Sequence, residues 1–316
     1  MPICVPVPEL VLTRYVVAAE EVPKDPYAMA RAQTSGPPGE EVIDRLDTPL
    51  LRIRAVAAAD SVWRRELETV AAAGADRERL ETAGGHLVIE SETPRGQRPR
   101  LVQAVRAVAR ELAEATGGLL ADLCTAQLVP RDRRTDGERD WFCPADRWLG
   151  IDCLINADAG ADAERPTECA CLCLFTRGLR RFGLPELVVD QVPCAYDLAA
   201  TNVMRGLAVR LLARLWGAPD ARELRLDETV VVEPADMWGY WAARPLFGAP
   251  VPLRLAEVSR PGLPAGVGHL ELLPHPAFDG TRAEWAAGVV NQGLSSVAGW
   301  QPDTPPVRID ADRRSC

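Results

Sequence analysis

The sequence has little of the side chains on which much enzyme chemistry depends. Of its 36 lysine and arginine residues, only Lys24 is a lysine, and the chain has three histidines. An enzyme using pyridoxal phosphate would have to form its Schiff base on Lys24, within the proline-rich segment EVPKDPY. A Gly-x-x-x-x-Gly-Lys-Ser/Thr phosphate loop is also missing, because no lysine stands at the required position. Pyridoxal phosphate chemistry and P-loop nucleotide hydrolysis are therefore disfavoured.

Three further motifs are missing. The sequence has no Gly-x-Gly-x-x-Gly after a predicted strand, no Gly-x-Ser-x-Gly and no His-Glu-x-x-His. These motifs mark dinucleotide-binding folds, the nucleophile of α/β-hydrolases and zinc proteases, respectively. We therefore expect neither a tightly bound organic cofactor nor a metal ion.

Composition and charge indicate the cellular compartment of the protein and exclude some classes of partner. A net charge of -9 disfavours binding to nucleic acid, which would be repelled. No uncharged apolar run approaches the roughly 18 residues that span a bilayer. The apolar start, residues 1–21, contains Glu9 and Arg14 and lacks a basic n-region, so it predicts a strand and not a signal peptide. We expect a cytoplasmic protein whose nine cysteines are reduced, and its arginine-rich composition resembles that of an actinobacterium.

The pattern of elements predicts an α+β fold. Among the predicted elements are a loop over 20–48, a helix over 59–74, and strands over 119–129 and about 186–192. Strands and helices do not alternate strictly, which favours a mixed, largely antiparallel sheet with long amphipathic helices on one face. An arrangement of two pseudo-repeated halves is an alternative that the pattern leaves open. We expect a strand and a Pro/Gly-rich loop at 1–48, a first α+β half at 49–129, a second at 130–298 in the same compact domain, and a flexible tail at 299–316.

One motif carries a resemblance to a known group of proteins. The matching residues are Thr176, Gly178, Leu179, Phe182, Gly183, Pro185, Glu186 and Leu187. With the helix and strand that carry Asp122, this Thr-x-Gly-Leu-x-x-Phe-Gly-x-Pro-Glu-Leu signature resembles an uncharacterised bacterial domain family over roughly residues 85–275. The resemblance implies an intracellular α+β fold and brings no activity. The motif itself is typical of a structural turn, in which Gly183 and Pro185 shape the chain.

Three alternating cysteines, Cys169, Cys171 and Cys173, are the most conspicuous candidates for a metal or redox site. We predict a strand over 168–177, which would place them on one face with about 7 Å between neighbours. Such spacing spreads the outer sulfurs too far for one zinc ion, and the sequence has no Cys-x-x-Cys. We therefore favour a buried strand face of small apolar residues. Cys194, just before a predicted helix, is better placed for a lowered pKa.

The segment VGHLELLPH supplies candidate acid-base residues. On a strand, His269, Glu271 and His275 share one face, while Leu270 and Leu272 share the other. His and Glu two residues apart could perform general acid-base catalysis, although a solvated strand face produces the same alternation.

Two acids interrupt apolar strands. Asp122 in LLADLC and Asp152 in LGIDCLI would have raised pKa values if buried without a partner. Arg177 or Arg180 could pair with one of them, so a structural ion pair competes with a catalytic role. We include Asp122 and Asp152 among the candidate catalytic residues.

Aromatic residues concentrate in DMWGYWAARPLFG, residues 236–248. We predict a loop there, in which Trp238, Tyr240 and Trp241, together with Arg177, would bind a substrate or partner. Packing in the core is the alternative.

Two classes of function fit these observations. The first is a cytosolic enzyme that acts on a small molecule or peptide by cofactor-independent acid-base chemistry, such as cyclisation, isomerisation or hydrolysis. The second is a non-catalytic binding, adaptor or immunity-like protein that uses the aromatic loop as a surface. The acids inside strands favour the first, whereas the scarcity of lysine and histidine favours the second.

Overall fold

A computed structural model describes residues 2–34, 42–130, 142–144, 148–155, 169–241, 248–264 and 268–293. The predicted tail at 299–316 lies outside these residues. The fold is α+β, with mixed and mostly antiparallel sheets, as predicted. The strands are β1 Ile3–Pro6, β2 Leu10–Ala19, β3 Arg52–Ala57, β4 Gly85–Pro94, β5 Leu119–Asp122, β6 Gln127–Leu128, β7 Gly150–Ile155, β8 Leu172–Arg177, β9 Glu186–Val192, β10 Glu223–Leu226, β11 Thr229–Val232, β12 Val251–Val258 and β13 His269–Pro274.

Seven helices accompany these strands in the described part of the chain. The last one continues through a π-helical turn, Ala286–Val290, to Gly293. The helices are α1 Pro26–Gln33, α2 Arg64–Glu68, α3 Gly74–Glu81, α4 Arg100–Thr116, α5 Asp197–Trp216, α6 Pro234–Tyr240 and α7 Arg282–Trp285. The chain divides into two compact units, and each is described separately below.

The first unit contains Pro8–Asp140 and Arg181–Gly183. Its antiparallel sheet has the order β3-β4-β2-β5-β6. Helix α4 covers one face, because its apolar residues recur every three or four positions and are buried. Gly117, in the left-handed region at φ 63°, ends this helix. A second apolar cluster, which includes Val16 and Leu67, covers the opposite face, so the sheet is buried on both sides.

The second unit contains the remaining residues, including the sheet of order β11-β12-β13-β9-β8-β7. Only the β13–β9 pair among these strands is parallel. Helix α5 buries Leu207 and Leu211 among many apolar residues, and α6 packs closely against it. Gly206 permits this approach, since a Cβ there would lie 2.7 Å from Cγ of Met237.

Three predicted elements differ from the structure. The predicted loop over 20–48 contains α1, which starts because Asp25 accepts a hydrogen bond from the N–H of Ala28 and Pro26 opens the helix. Within 59–74, predicted as one helix, the α-helix is limited to α2, and Gly74 begins α3 instead of ending a helix. The predicted strand over 119–129 breaks after Asp122, whose carboxylate accepts the N–H of Cys124 at 2.9 Å and forms a turn.

The buried carboxylate of Glu186 organises the signature turn between β8 and β9. Its Oε1 accepts the N–H groups of Gly178 at 2.8 Å and Arg180 at 3.2 Å, and its Oε2 accepts the hydroxyl of Thr176 at 2.7 Å. The Thr176 hydroxyl also accepts the N–H of Leu187 at 2.7 Å. Burial raises the pKa of Glu186, against the opposing effect of these donors. The conspicuous residues of the signature therefore have structural roles.

We predict that Thr176→Val destabilises the second unit by about 1–3 kcal/mol, because it removes one donor from Glu186 and leaves the buried N–H of Leu187 without its acceptor. Urea denaturation measures the change. The matched control is Thr229→Val at an exposed position of β11, which should change stability by less than about 0.5 kcal/mol. Equal effects of the two substitutions would contradict a structural role for Thr176.

Candidate functional site

Strand register places several predicted site residues on one face of the six-stranded sheet. Glu271 pairs with Val188, Val188 with Phe175, and Phe175 with Asp152, and paired residues share a face. Three strand spacings separate Asp152 from Glu271, or about 14 Å. His269 shares the face of Glu271 by alternation. We call this surface, carrying Asp152, Arg177, His269 and Glu271, the polar face.

Arginines hold the carboxylates of the polar face. Oε1 of Glu271 accepts hydrogen bonds at 2.7 Å from both Arg260 and Arg282, and Arg260 also pairs with Asp190. Nε of Arg177 lies 2.5 Å from Oδ2 of Asp152, which confirms that this arginine can pair with a strand acid. These carboxylates therefore serve as counter-ions for guanidinium groups in the described conformation.

The alternative interpretation of VGHLELLPH as a solvated strand face is wrong. His269 and Glu271 are each 6% exposed, so both faces of β13 are mainly buried. His275 lies beyond the end of β13 at Pro274, where its Nδ1 accepts the N–H of Ala277 at 3.1 Å. A cavity lined by Asp190 and Arg282, among others, measures 10 Å³, room for about one water molecule.

Asp122 belongs to the other compact unit and is a buried counter-ion. It is 1% exposed, and its Oδ1 lies 2.8 Å from Nη2 of the fully buried Arg181. Nη1 of Arg181 donates to the hydroxyl of Tyr15 at 3.2 Å. Burial, reinforced by the charge of Asp122, raises the pKa of Tyr15. The prediction that Arg177 or Arg180 pairs with one of the two strand acids holds for Asp152, whereas Asp122 pairs with Arg181, which the sequence did not single out.

The described start of the aromatic segment, residues 236–241, is mostly helix and core instead of loop. Trp238 and Tyr240 lie in α6 and are buried, with the Tyr240 hydroxyl donating to the carbonyl of Leu149 at 3.3 Å. Trp241 is 37% exposed, and the guanidinium of Arg205 lies 4.7 Å from its ring centroid. Phe247 lies outside the described residues. Trp241 is thus the residue of this group that remains accessible to a ligand or partner.

Three cysteines converge at one end of the β8–β9 hairpin. The sulfur atoms of Cys169, Cys171 and Cys194 all lie within 4.8 Å of one another. Cys171 Sγ lies 3.3 Å from Cys169 Sγ and 2.9 Å from Cys194 Sγ. Cys169 and Cys171 are buried, whereas Cys194 is exposed. We call this group the cysteine cluster.

The pairing of β8 with β9 explains this convergence. Leu172, the first residue of β8, pairs with Val192, the last residue of β9. Residues just before β8 and just after β9 therefore meet at the same end of the sheet. Pro193 follows, and the 3₁₀ turn Cys194–Tyr196 leads into α5. The backbone N–H of Cys194 donates to Cys169 Sγ at 3.1 Å.

Hydrogen bonds distribute charge unevenly within the cysteine cluster. Burial acts to raise the pKa of Cys169, but hydrogen bonds from Cys194 and Cys171 outweigh it and lower that pKa below its ordinary value. Hydrogen bonds with Cys171 and Cys169 raise the pKa of Cys194 to about 12. Negative charge is therefore best accommodated on Cys169, with the neighbouring thiols as donors.

The predicted strand geometry of the three alternating cysteines is wrong. Because β8 begins at Leu172, Cys169 and Cys171 precede it and are not constrained to strand spacing. Cys173 lies within β8 and packs with Phe175 and Val188. Burial and the nearby charge of Asp190 raise the pKa of Cys173 to about 11. The expectation of a lowered pKa for Cys194 before a helix is wrong, because hydrogen bonds with Cys171 and Cys169 raise that pKa. The proximity of Cys194 to Cys171 depends on strand pairing.

Comparisons with family models, curated proteins and solved structures gave no match for this chain. The resemblance to a bacterial family therefore stays a prediction. Within the part of the chain that the structure describes, every helix is too short or too polar to cross a bilayer.

We predict that Asp122→Asn costs about 3–5 kcal/mol of stability, because it leaves the buried charge of Arg181 without its counter-ion. Chemical denaturation monitored by circular dichroism measures the loss. Asp152→Asn is the control, since its pair with Arg177 is partly exposed and should contribute less than about 1 kcal/mol. A small effect at Asp122 would argue against its structural assignment.

Proposed function

We propose that the protein binds a thiophilic d¹⁰ metal ion, Zn²⁺ or Cu⁺, through the thiolates of Cys169, Cys171 and Cys194. The observation that carries the proposal is the convergence of the three sulfurs within 4.8 Å. Thiolate sulfur is a preferred ligand of both ions. The proposal departs from the sequence-based expectation of a protein without a metal.

The spacing of the sulfurs suits metal coordination. Zinc–sulfur bonds of about 2.3 Å in a tetrahedral site place the sulfurs about 3.8 Å apart. The separations of 3.3 and 2.9 Å require only a small outward movement of the side chains. A single disulfide would use two of the sulfurs, whereas one metal ion uses all three.

The cysteine cluster supplies three ligands and has one solvent-facing member. Three protein ligands with a fourth position for water or substrate are the pattern of catalytic zinc sites, while trigonal coordination by three thiolates suits Cu⁺. Because Cys194 is exposed, a fourth ligand could reach a tetrahedral ion from solvent. Metal binding would displace the protons that the three thiols share in the metal-free protein.

We predict that protein purified without chelators contains about one zinc or copper ion per chain, as expected for one three-thiolate site. Elemental analysis by mass spectrometry identifies the ion and its stoichiometry. Titration with Co²⁺ should produce sulfur-to-metal charge-transfer absorption in the near ultraviolet. Because structural zinc sites contribute about 10–16 kcal/mol, loss of one of three ligands in Cys171→Ser should weaken binding by more than about 100-fold.

Cys173→Ser is the matched control for this experiment, since Cys173 is also buried but lies outside the cysteine cluster. It should retain the metal. A metal-free protein that gives no charge-transfer band with Co²⁺, and no copper uptake under reducing conditions, would overturn the proposal.

We propose acid-base catalysis on the polar face as a second candidate function. The shared face of Asp152, Arg177, His269 and Glu271 supports it, because these groups could act on one extended small molecule or peptide. The ion pairs of Glu271 count against it, since a general base must be able to accept a proton. The metal site is therefore the stronger candidate.

The second candidate predicts turnover that depends on His269. A panel of lactones, activated esters and peptides, monitored by nuclear magnetic resonance, should include a substrate whose conversion falls at least about 100-fold in His269→Ala, as for removal of a general acid or base. Arg225→Ala, at an exposed position of β10, should leave that conversion unchanged. No conversion of the panel, or equal rates for both variants, would count against catalysis by His269.

A further inference from the structure

We propose that a hydroperoxide oxidises the cysteine cluster to a disulfide between Cys171 and Cys194. The inference rests on the proposed function for one consequence, the release of the metal ion. The disulfide itself involves only the thiols and is measured separately. It makes the cluster an oxidative modification site as well as a metal site.

The geometry selects the pair. Cys171 Sγ and Cys194 Sγ are 2.9 Å apart, closer than the 3.3 Å between Cys171 and Cys169. A disulfide bond measures about 2.05 Å, so each sulfur needs to move by less than about 0.5 Å to reach bonding distance. Rotation about the side-chain bonds can supply this movement while the backbone keeps its course.

Exposure selects the sulfur that reacts first. Cys194 is exposed, whereas Cys169 and Cys171 are buried. A peroxide in solution therefore meets Cys194, and the adjoining Cys171 is placed to resolve the oxidised product. An accessible cysteine next to a resolving thiol is the usual arrangement of redox-sensitive sites.

Cys169 contributes hydrogen bonds and stays outside the disulfide. Its Sγ accepts the N–H of Cys194 at 3.1 Å and the thiol of Cys171 at 3.3 Å. These two contacts hold Cys171 and Cys194 next to each other, so that the bond forms between the two closest sulfurs.

The reaction balances in two steps. The Cys194 thiolate attacks one peroxide oxygen, an S–O bond forms, the O–O bond breaks, and water or an alcohol leaves after taking up a proton. The sulfur of Cys171 then attacks the sulfenic acid, an S–S bond forms, the S–O bond breaks, and the departing hydroxide takes the Cys171 proton as water. Two thiols lose two electrons in total, and the peroxide gains them.

Oxidation removes two of the three metal ligands. A disulfide sulfur is a poor ligand for either ion, and Cys169 alone holds a metal weakly. Metal release should therefore accompany the disulfide one for one, and reduction by a dithiol should restore the site. The cluster would couple the redox state of its surroundings to metal occupancy.

The experiment treats the full-length protein, loaded with Zn²⁺ or Cu⁺ according to the elemental analysis, with an equimolar amount of hydrogen peroxide. Peptide mass spectrometry after alkylation without reduction identifies the disulfide, and a colorimetric chelator follows the released metal. We expect a Cys171–Cys194 crosslink and about one metal ion released per crosslink. Dithiothreitol should reverse both changes.

Two variants make the test specific. Cys194→Ser should form no disulfide with Cys171. Because Cys194 is exposed, this substitution should leave the fold intact, and circular dichroism checks that it does. Cys173→Ser should behave as the unmodified protein. If Cys194→Ser were unfolded, Cys171→Ala would replace it, because this variant lacks the other sulfur of the disulfide and should also form no crosslink.

The outcomes separate this inference from the proposed function. A protein that binds metal but yields another cysteine pair, or only sulfinic acid at Cys194, overturns the inference and leaves metal binding intact. A protein that binds no metal but forms the reversible Cys171–Cys194 disulfide supports the modification site and overturns the proposed metal binding. Absence of that disulfide in the metal-free protein as well would overturn the inference.

Discussion

The carboxylate of Glu186 is the constraint on which the candidate site depends. It holds the turn between β8 and β9 through three backbone N–H groups and the hydroxyl of Thr176. The hairpin that starts at this turn brings Leu172 opposite Val192 at its far end, beyond a register shift between Leu172 and Leu174. The cysteine cluster forms just beyond that pair. The turn at one end and the register shift near the other therefore decide together which sulfurs meet.

Arginine supplies almost all of the positive side-chain charge, which lysine and arginine share in other proteins. Nearly all of the basic residues are arginine, and two buried acids, Asp122 and Glu271, are matched with guanidinium groups. Asp122 meets Arg181, and Glu271 meets both Arg260 and Arg282. A planar guanidinium can bind several acceptors at once, which allows a buried charge to be satisfied in a narrow space. Candidate acid-base residues are consequently tied into ion pairs, whereas Cys169, Cys171 and Cys194 lie within 4.8 Å of one another.

The sequence predicted the α+β class, β8 with β9 and the structural nature of the signature turn, because these follow from alternation and from glycine and proline. It also suggested that Arg177 or Arg180 pairs with Asp122 or Asp152, and Arg177 pairs with Asp152. It could not predict the cysteine cluster, since the exact start of β8 decides whether Cys171 follows strand spacing. The Asp122–Arg181 pair was missed for a related reason: a difference of one residue in a turn reverses which arginine points inward. The pairing of distant strands and the exact ends of the elements decide these contacts, and local sequence patterns do not reveal either of them.

The single parallel pair described in the six-stranded sheet has a consequence for the order of folding. β9 pairs with β8 across a short connection, but it pairs with β13 only after a much longer stretch of chain has closed. Loop-closure entropy makes the nearer contact the faster one. The hairpin that aligns Cys169, Cys171 and Cys194 can thus assemble during synthesis, before β13 has emerged. A metal ion captured at that stage would act as a nucleus for the rest of the sheet.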